Sequence, residues 1–317
     1  MGMPELKPIP ECEKLEFKEK FIHRYSQLTD WPLFKKYSCS FLRKSIRVNT
    51  LKISINDLKS RLEKDWVLEP IPWCPDGFWI THKKDRLDVG NTVEHMLGYY
   101  YVQEAASMIP PIVLDAKPGE IVLDMCASPG SKASQIAQLM NNEGVLVAND
   151  VKGLRLAPLG INIQRMGISN CITTLMKGEG FKDILFDKIL LDAPCSGTGT
   201  IRKSLKTIEM WNPSMVKRLA AVQRRLITTA WNVLKQGGCL VYSTCSSEPE
   251  ENEAVIDFLL RTQNDVVVEE ISLPLNHNPA ITEFEGEKYD VSVKNCLRLW
   301  PQDNDTEGFF VALLRKK

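Results

Sequence analysis

From Ile112 onward, short apolar runs alternate with amphipathic stretches, and this alternation constrains the fold more than any other feature of the chain. Parallel strands joined by crossover helices read this way, because each strand is covered on both faces and each helix on one. Five runs qualify as strands: Ile121 to Met125, Val145 to Asp150, Cys171 to Leu175, Phe186 to Asp192 and Cys239 to Thr244. Helices are expected over Lys132 to Met140, Leu154 to Met166, Pro213 to Leu234 and Pro249 to Leu260. Ser246 or Ser247 is the expected N-cap of the last, with acids in its first turn. Cys296 to Trp300 and Gly308 to Leu314 then close the sheet as an antiparallel edge pair. The expected fold class is α/β, a mainly parallel, doubly wound, Rossmann-like sheet.

The first 110 residues read differently. A basic aromatic helix, short strands around Ile46 to Leu51 and Gly77 to Ile80, and prolines at 70, 72 and 75 suggest a small α+β appendage. The boundary is placed near Met108-Ile109-Pro110-Pro111, which divides the chain into 1–110 and 111–317. With 44% hydrophobic residues over 317 positions, a large core is expected. There is no apolar run of 18 and no apolar signal core at the start, so a cytoplasmic protein without a membrane partner is expected. Nine cysteines without a C-x-x-C pair, and four scattered histidines, point to neither a disulfide frame nor a metal site. The open question is whether a cysteine serves as a nucleophile.

Net charge is zero, but the charge is segregated. Residues 31–62 carry Lys35, Lys36, Arg43, Lys44, Arg47, Lys52, Lys59 and Arg61 against Asp57 alone. Residues 201–235 carry Arg202, Lys203, Lys206, Lys217, Arg218, Arg224, Arg225 and Lys235 against Glu209 alone. Twelve acids collect in 248–290. A neutral protein arranged like this can present a phosphate-binding face, although solvated helix faces account for the charge equally well.

The chemistry-bearing motifs fall at strand ends. The first strand runs into Asp124-Met125-Cys126-Ala127-Ser128-Pro129-Gly130-Ser131-Lys132, a small-residue turn that opens a helix where a doubly wound sheet holds its ligand. It contains neither G-x-G-x-x-G nor a P-loop, which disfavours a dinucleotide or triphosphate. The second strand ends in Asp150, 18 residues past Lys132, where an acid can take both hydroxyls of a ribose. The fourth strand delivers Asp192-Ala193-Pro194-Cys195-Ser196-Gly197-Thr198-Gly199 and the fifth Thr244-Cys245-Ser246. Neighbouring strands lie about 4.8 Å apart, so both cysteines are expected on one rim. Residue types alone leave open which of the two is the nucleophile.

DMCASPGSK, AND, LLDAPCSGTGT and YSTCSSEPEENE, in that order, with RVNTLK and YVQEAAS upstream, strongly resemble the Sun-type family of S-adenosylmethionine-dependent RNA (cytosine-5) methyltransferases. The resemblance implies a Rossmann-like class I methyltransferase fold and S-adenosylmethionine as cofactor. It implies Cys245 as the thiolate that adds to carbon 6 of cytosine and Cys195 as the residue that assists release. Asp192 would bond the N3/N4 edge of the base, and Lys132 would help hold Cys245 ionised. The turn from Cys126 through Ala127, Ser128, Pro129, Gly130 and Ser131 to Lys132 would hold the methionine part of the cofactor. Asp150 would hold the ribose, with Arg155 and Asp192 in the same site. Lys177 stands where the family often has an adenine-binding acid, Gln302 where a histidine is common, and Ser204-Leu205 where a proline is often seen.

A target cytosine must be swung out of folded RNA while flanking phosphates are gripped. Arg43, Lys44, Arg47, Asn49, Arg202 and Lys203 are the candidate RNA contacts. Trp31, Trp66, Trp73 and Trp79 are expected to pack the small unit rather than stack on bases. Transfer RNA is the favoured partner of a chain this compact, ribosomal RNA the nearest alternative, and a monomer is expected. A catalytically silent RNA-binding scaffold is the alternative from another class, which intact Cys195, Cys245 and Asp192 argue against. An adenine amino-methyltransferase would need an aromatic residue where Cys195 stands.

Overall fold

The computed structural model describes residues 6–84, 86 and 88–317. Its first sheet is antiparallel, with β1 (Ser45–Val48), β2 (Trp66–Ile71), β3 (Cys74–His82) and β4 (Tyr100–Val102) in the order β2-β3-β1-β4. The second sheet carries β5 (Ile121–Asp124), β6 (Val145–Asp150), β7 (Cys171–Leu175), β8 (Phe186–Asp192) and β9 (Leu234–Thr244), all parallel. Their order β7-β6-β5-β8-β9 reverses between β5 and β8. The ligand crevice of a doubly wound sheet opens at such a reversal, above the carboxyl ends of the strands.

Alternation along each buried strand builds the two core layers. Leu123, Ile189, Leu191 and Tyr242 point toward the helices Pro213–Asn232 and Glu253–Thr262. Val122, Leu190 and Val241 point the other way, toward Ile109–Leu114, Ser131–Leu139 and Gly153–Met166. A one-residue slip in any central strand would exchange its two faces, so the register is held strongly.

The antiparallel edge is larger than the sequence suggests. It contains β10 (Val266–Glu269), β11 (Asn278–Pro279), β14 (Leu297–Leu299) and β15 (Phe309–Lys316), while β12 (Glu283–Phe284) and β13 (Glu287–Lys288) form a separate hairpin. β10 and β14 both pair with β15, which in turn pairs with β9. Neither β10 nor β11 was expected, because VVVE is too short to tell from a helix segment and Asn278-Pro279 carries no strand signal. β9 also begins five residues early, at Leu234, with a register shift around Phe186/Lys188.

The expected N-cap at Ser246 or Ser247 is not found. Pro249–Glu251 forms a single 3-10 turn, and the helix starts at Glu253 after Asn252 in a non-helical conformation. The acids there turn inward instead of capping. Glu253 is buried and accepts two bonds from Arg298, at 2.7 and 2.6 Å. Glu248 is equally buried and accepts from Arg24 Nε at 2.7 Å, Tyr25 Oη at 2.9 Å and Trp211 Nε1 at 2.8 Å.

Those contacts fix the N-terminal helices Glu19–Leu28 and Trp31–Ser38 on the large unit rather than on the small sheet. Phe21, Tyr25 and Phe34 pack with Ile201, Trp211 and Trp300. Trp66, Trp73 and Trp79 are buried and Trp31 is half-buried, but only Trp66 packs within the small unit as expected: Trp73 and Trp79 pack in a cluster shared with the large sheet, and Trp31 packs with Phe21, Phe34 and Trp300.

Three of the six expected RNA contacts are interior residues. Arg47, fully buried on β1, donates to Gln103 Oε1 at 2.8 Å and Ser134 Oγ at 2.8 Å, and also bonds Gln138. Asn49 donates to the carbonyls of Gly98 and Met166, each at 2.8 Å. Both residues are struts from the small sheet to the helices of the large unit. Arg202 is paired with Asp305 at 2.7 Å and donates to the carbonyls of Ser40, Phe41 and Thr306. The reason is the same for all three: a charge count along the chain cannot see that a guanidinium or amide has buried acceptors waiting for it. Arg202→Ala is expected to cost about 3–5 kcal/mol by leaving Asp305 buried and unpaired, read by thermal unfolding. An unchanged melting temperature with weakened RNA binding would restore Arg202 to the RNA surface.

Candidate active site

β8 and β9 are neighbours with Asp192 opposite Ser243, so the loops that follow them emerge side by side. Cys195 Sγ and Cys245 Sγ lie 3.4 Å apart at their rim, within hydrogen-bonding reach. The loops are locked together below the sulfurs. Gly199 N–H donates to the Cys245 carbonyl at 3.0 Å, and a β-carbon on Gly199 would stand 2.2 Å from the Gly308 carbonyl oxygen, so only glycine allows the approach.

The fastening residue is Glu251, which is fully buried. Its carboxylate accepts from Ser196 N–H at 3.0 Å, Ser246 Oγ at 2.5 Å, Gln223 Nε2 at 3.1 Å and Ser196 Oγ. One acid thus spans the loop of each cysteine. By sequence alone it reads as a first-turn helix acid; the signal that separates the two is the pair of serines, one beside each cysteine.

Lys132, the second residue of the helix Ser131–Leu139, reaches Asp192 Oδ2 at 2.8 Å. Ser243 Oγ donates to the other oxygen at 2.8 Å. The Lys132 ammonium also lies 5.3 Å from the centre of the Phe309 ring. Burial alone would pull the Lys132 ammonium down, but the Asp192 carboxylate, with Cys245 and Asp124 behind it, overrides burial and raises it. The cysteines are not electrostatically equal. The hydrogen bond to Cys245, then burial, then the charges of Cys245, Glu251 and Asp192 push the Cys195 thiol well above its ordinary value. Lys132 is the cation on which the Cys245 charge acts.

Asp124, at the end of β5, was not singled out from the sequence. It is fully buried, and burial followed by the Asp192 charge pushes its carboxyl up to about 7. Burial and the facing acids likewise raise the Cys126 thiol, which sits in the turn as a neutral group. In that turn Gly130 adopts φ 102°, a left-handed conformation suited to glycine, and the next helix begins without a side-chain cap. Ser128 and Arg155 brace each other through their carbonyls, at 2.8 and 2.7 Å. Ala127 is buried, and Pro129 is exposed with its carbonyl held by Asn162 at 2.9 Å.

Asp150 ends β6 buried, with Oδ1 accepting from Lys152 N–H at 2.9 Å. Its Oδ2 has Arg155 at 3.4 Å but no hydrogen bond. Lys177 is exposed and bears no carboxylate for an adenine amine. Of the expected RNA contacts left on the surface, Arg43 is half-buried, stacked 4.2 Å over Trp79 and paired with Glu69, while Lys44 and Lys203 are exposed. Among the described residues no cluster could hold a metal ion, and no helix is long and apolar enough to cross a membrane.

Comparison with known proteins gives this arrangement a family. A model described as 16S rRNA methyltransferase RsmB/F matches residues 111–315, and one for the N-terminal domain of 16S rRNA methyltransferase RsmF matches residues 17–105. The chain is 46% identical to the tRNA (cytosine(49)-C(5))-methyltransferase of Pyrococcus abyssi (strain GE5 / Orsay), over 96% of this chain and 98% of that one. It is 44% identical to the ribosomal RNA small subunit methyltransferase F of Shewanella sp. (strain MR-7), over 87% of this chain but only 56% of that longer relative. A methyltransferase homologue from Pyrococcus horikoshii superposes with a TM-score of 0.86 at 40% identity, covering 98% of both chains. The crystal structure of NSun6 from the same organism with SFG superposes with a TM-score of 0.83 at 25% identity, covering 95% of this chain and 98% of that one. The chain belongs to the RsmB/F family of RNA methyltransferases.

Proposed function

We propose that the chain methylates carbon 5 of a cytosine in RNA, with transfer RNA as substrate, through a covalent adduct to Cys245. The observation that carries this reading is the pair of sulfurs 3.4 Å apart beside the Lys132–Asp192 ion pair. Carbon 5 of cytosine is a weak nucleophile until a thiolate adds to carbon 6. Cys245, within reach of the Lys132 charge, supplies that thiolate: its sulfur forms the C6–S bond while the ring's electron pair moves toward N3 and carbon 5. Asp192, fixed by Lys132 and Ser243, aligns the N3/N4 edge of the base as that negative charge develops. S-adenosylmethionine, when bound, supplies the electrophilic methyl group. Cys195 assists the closing elimination, in which the proton of carbon 5 passes to solvent water, the C5–H electron pair re-forms the C5–C6 double bond and the C6–S bond breaks to return Cys245 as thiolate.

The residues present fit the cofactor. Asp150 leaves one buried carboxylate oxygen without a hydrogen bond, as a ribose diol requires. The turn from Cys126 to Ser131 is made of small residues and is braced by Arg155. We place Arg155 in a bracing role within that site.

Support for transfer RNA comes from the Pyrococcus abyssi relative, named for cytosine 49 of tRNA and matched along almost its whole length. Ribosomal RNA is the second reading, favoured by the match of residues 17–105 to the RsmF N-terminal model. Purified chain is expected to transfer labelled methyl from S-adenosylmethionine to unmodified tRNA, with bisulfite sequencing locating a single cytosine. Label on 16S rRNA alone would favour the second reading, and label on neither would remove the proposal.

A further inference from the structure

Among the described residues Phe41 is the one phenylalanine, tyrosine or tryptophan that is exposed, at 54%. Every other phenylalanine, tyrosine and tryptophan among the described residues is buried or half-buried, so the phenyl face of Phe41 stands out as available to an occupant. Its backbone is held on both sides: Phe41 N–H donates to the Lys7 carbonyl at 2.8 Å, and its own carbonyl accepts from Arg202 Nη2 at 2.8 Å.

Arg202 also connects this ring to the active site. The same buried guanidinium bonds the Ser40 and Thr306 carbonyls, each at 3.1 Å, and pairs with Asp305. Two residues beyond Thr306, Gly308 N–H donates to the Gly199 carbonyl, and Gly199 N–H donates to the Cys245 carbonyl. Phe309 follows as the wall facing Lys132. The segment bearing Phe41 is thus tied to the lip of the cleft. Lys44 and Lys203 are exposed on the two stretches that Arg202 joins, and neither forms an ion pair with any described residue. An exposed aromatic ring on a stretch that shares its anchor with exposed cations is the combination that single-stranded nucleic acid uses, stacking for a base and charge for its phosphates.

We propose that Phe41 is a stacking platform for an unpaired RNA base close to the target cytosine, with Lys44 and Lys203 on the adjoining phosphates. This rests on the RNA reading above and adds a residue that neither the charge pattern nor the motifs select. Because Arg202 and Lys7 fix the backbone in advance, little ordering opposes the stack.

The test is steady-state methylation of unmodified tRNA by the full chain and its variants. Phe41→Ala is expected to raise KM for tRNA about 5- to 150-fold, the range that loss of one base–aromatic stack gives, with kcat, S-adenosylmethionine affinity and melting temperature unchanged. Phe41→Trp should keep the wild-type KM, and Phe41→Leu, which retains apolar bulk without a ring face, should behave like Phe41→Ala. A wild-type KM in Phe41→Ala, as expected if the ring docks a protein instead, overturns the platform while leaving the RNA reading intact. Full rescue by Phe41→Leu overturns stacking as well. A wild-type chain that neither methylates nor binds RNA overturns both.

Discussion

Cys245→Ala is expected to abolish methyl transfer and to leave no covalent RNA complex, whereas Cys195→Ala is expected to trap one. The two thiols touch, so any difference between them comes from their surroundings. The hydrogen bond between the two sulfurs and burial, followed by the charges of Cys245, Glu251 and Asp192, hold the Cys195 thiol well above its ordinary value. Cys245 lies where the Lys132 ammonium can stabilise a thiolate. Losing the nucleophile should lower kcat at least about 10,000-fold, the scale seen when a covalent catalyst is removed. Losing the release residue should instead give a slow enzyme that migrates with RNA on a denaturing gel. The reverse pattern, an adduct in Cys245→Ala and none in Cys195→Ala, would exchange the roles.

Lys132→Met should be the next most damaging change. Methionine keeps the stem and its packing against Phe309 while removing the charge that neutralises Asp192 and favours the Cys245 thiolate. In a site this enclosed, removal of a preorganised electrostatic partner costs about 100- to 1,000-fold in kcat. The pH dependence carries the sign. A thiolate is the deprotonated form, so losing a nearby cation raises the pH needed to form it, and the acid limb of the kcat/KM profile should move upward. A profile unchanged in position, with only its height reduced, would show that Lys132 aligns Asp192 without acting on the thiol.

The parts of this molecule that could be read directly are those governed by local pattern. Runs such as FDKILLD and VLVAND are continuous enough in apolar character to mark buried parallel strands, and both were located to the residue. The ends of those strands then carry the site, since a crossover topology leaves few places for Cys195 and Cys245 to go. Glu248, Glu251 and Glu253 were misread because acids after a strand look like helix-capping acids until their partners are known. Arg24, Ser196 and Arg298 supply those partners from distant parts of the chain. Arg47, Asn49 and Arg202 are hidden from a local reading for the same reason, as donors whose buried acceptors lie elsewhere in the chain.

What the chain determines on its own is therefore the order and direction of the central strands and the two thiols at their ends, because hydrophobic period and connection length act within a few tens of residues. Which charges are solvated was decided only when remote segments met: a buried guanidinium is tolerable only where carbonyls and carboxylates converge on it, and that convergence is a property of packing. The same packing set the 3.4 Å between the sulfurs, clamped by an acid that no local rule would place between them.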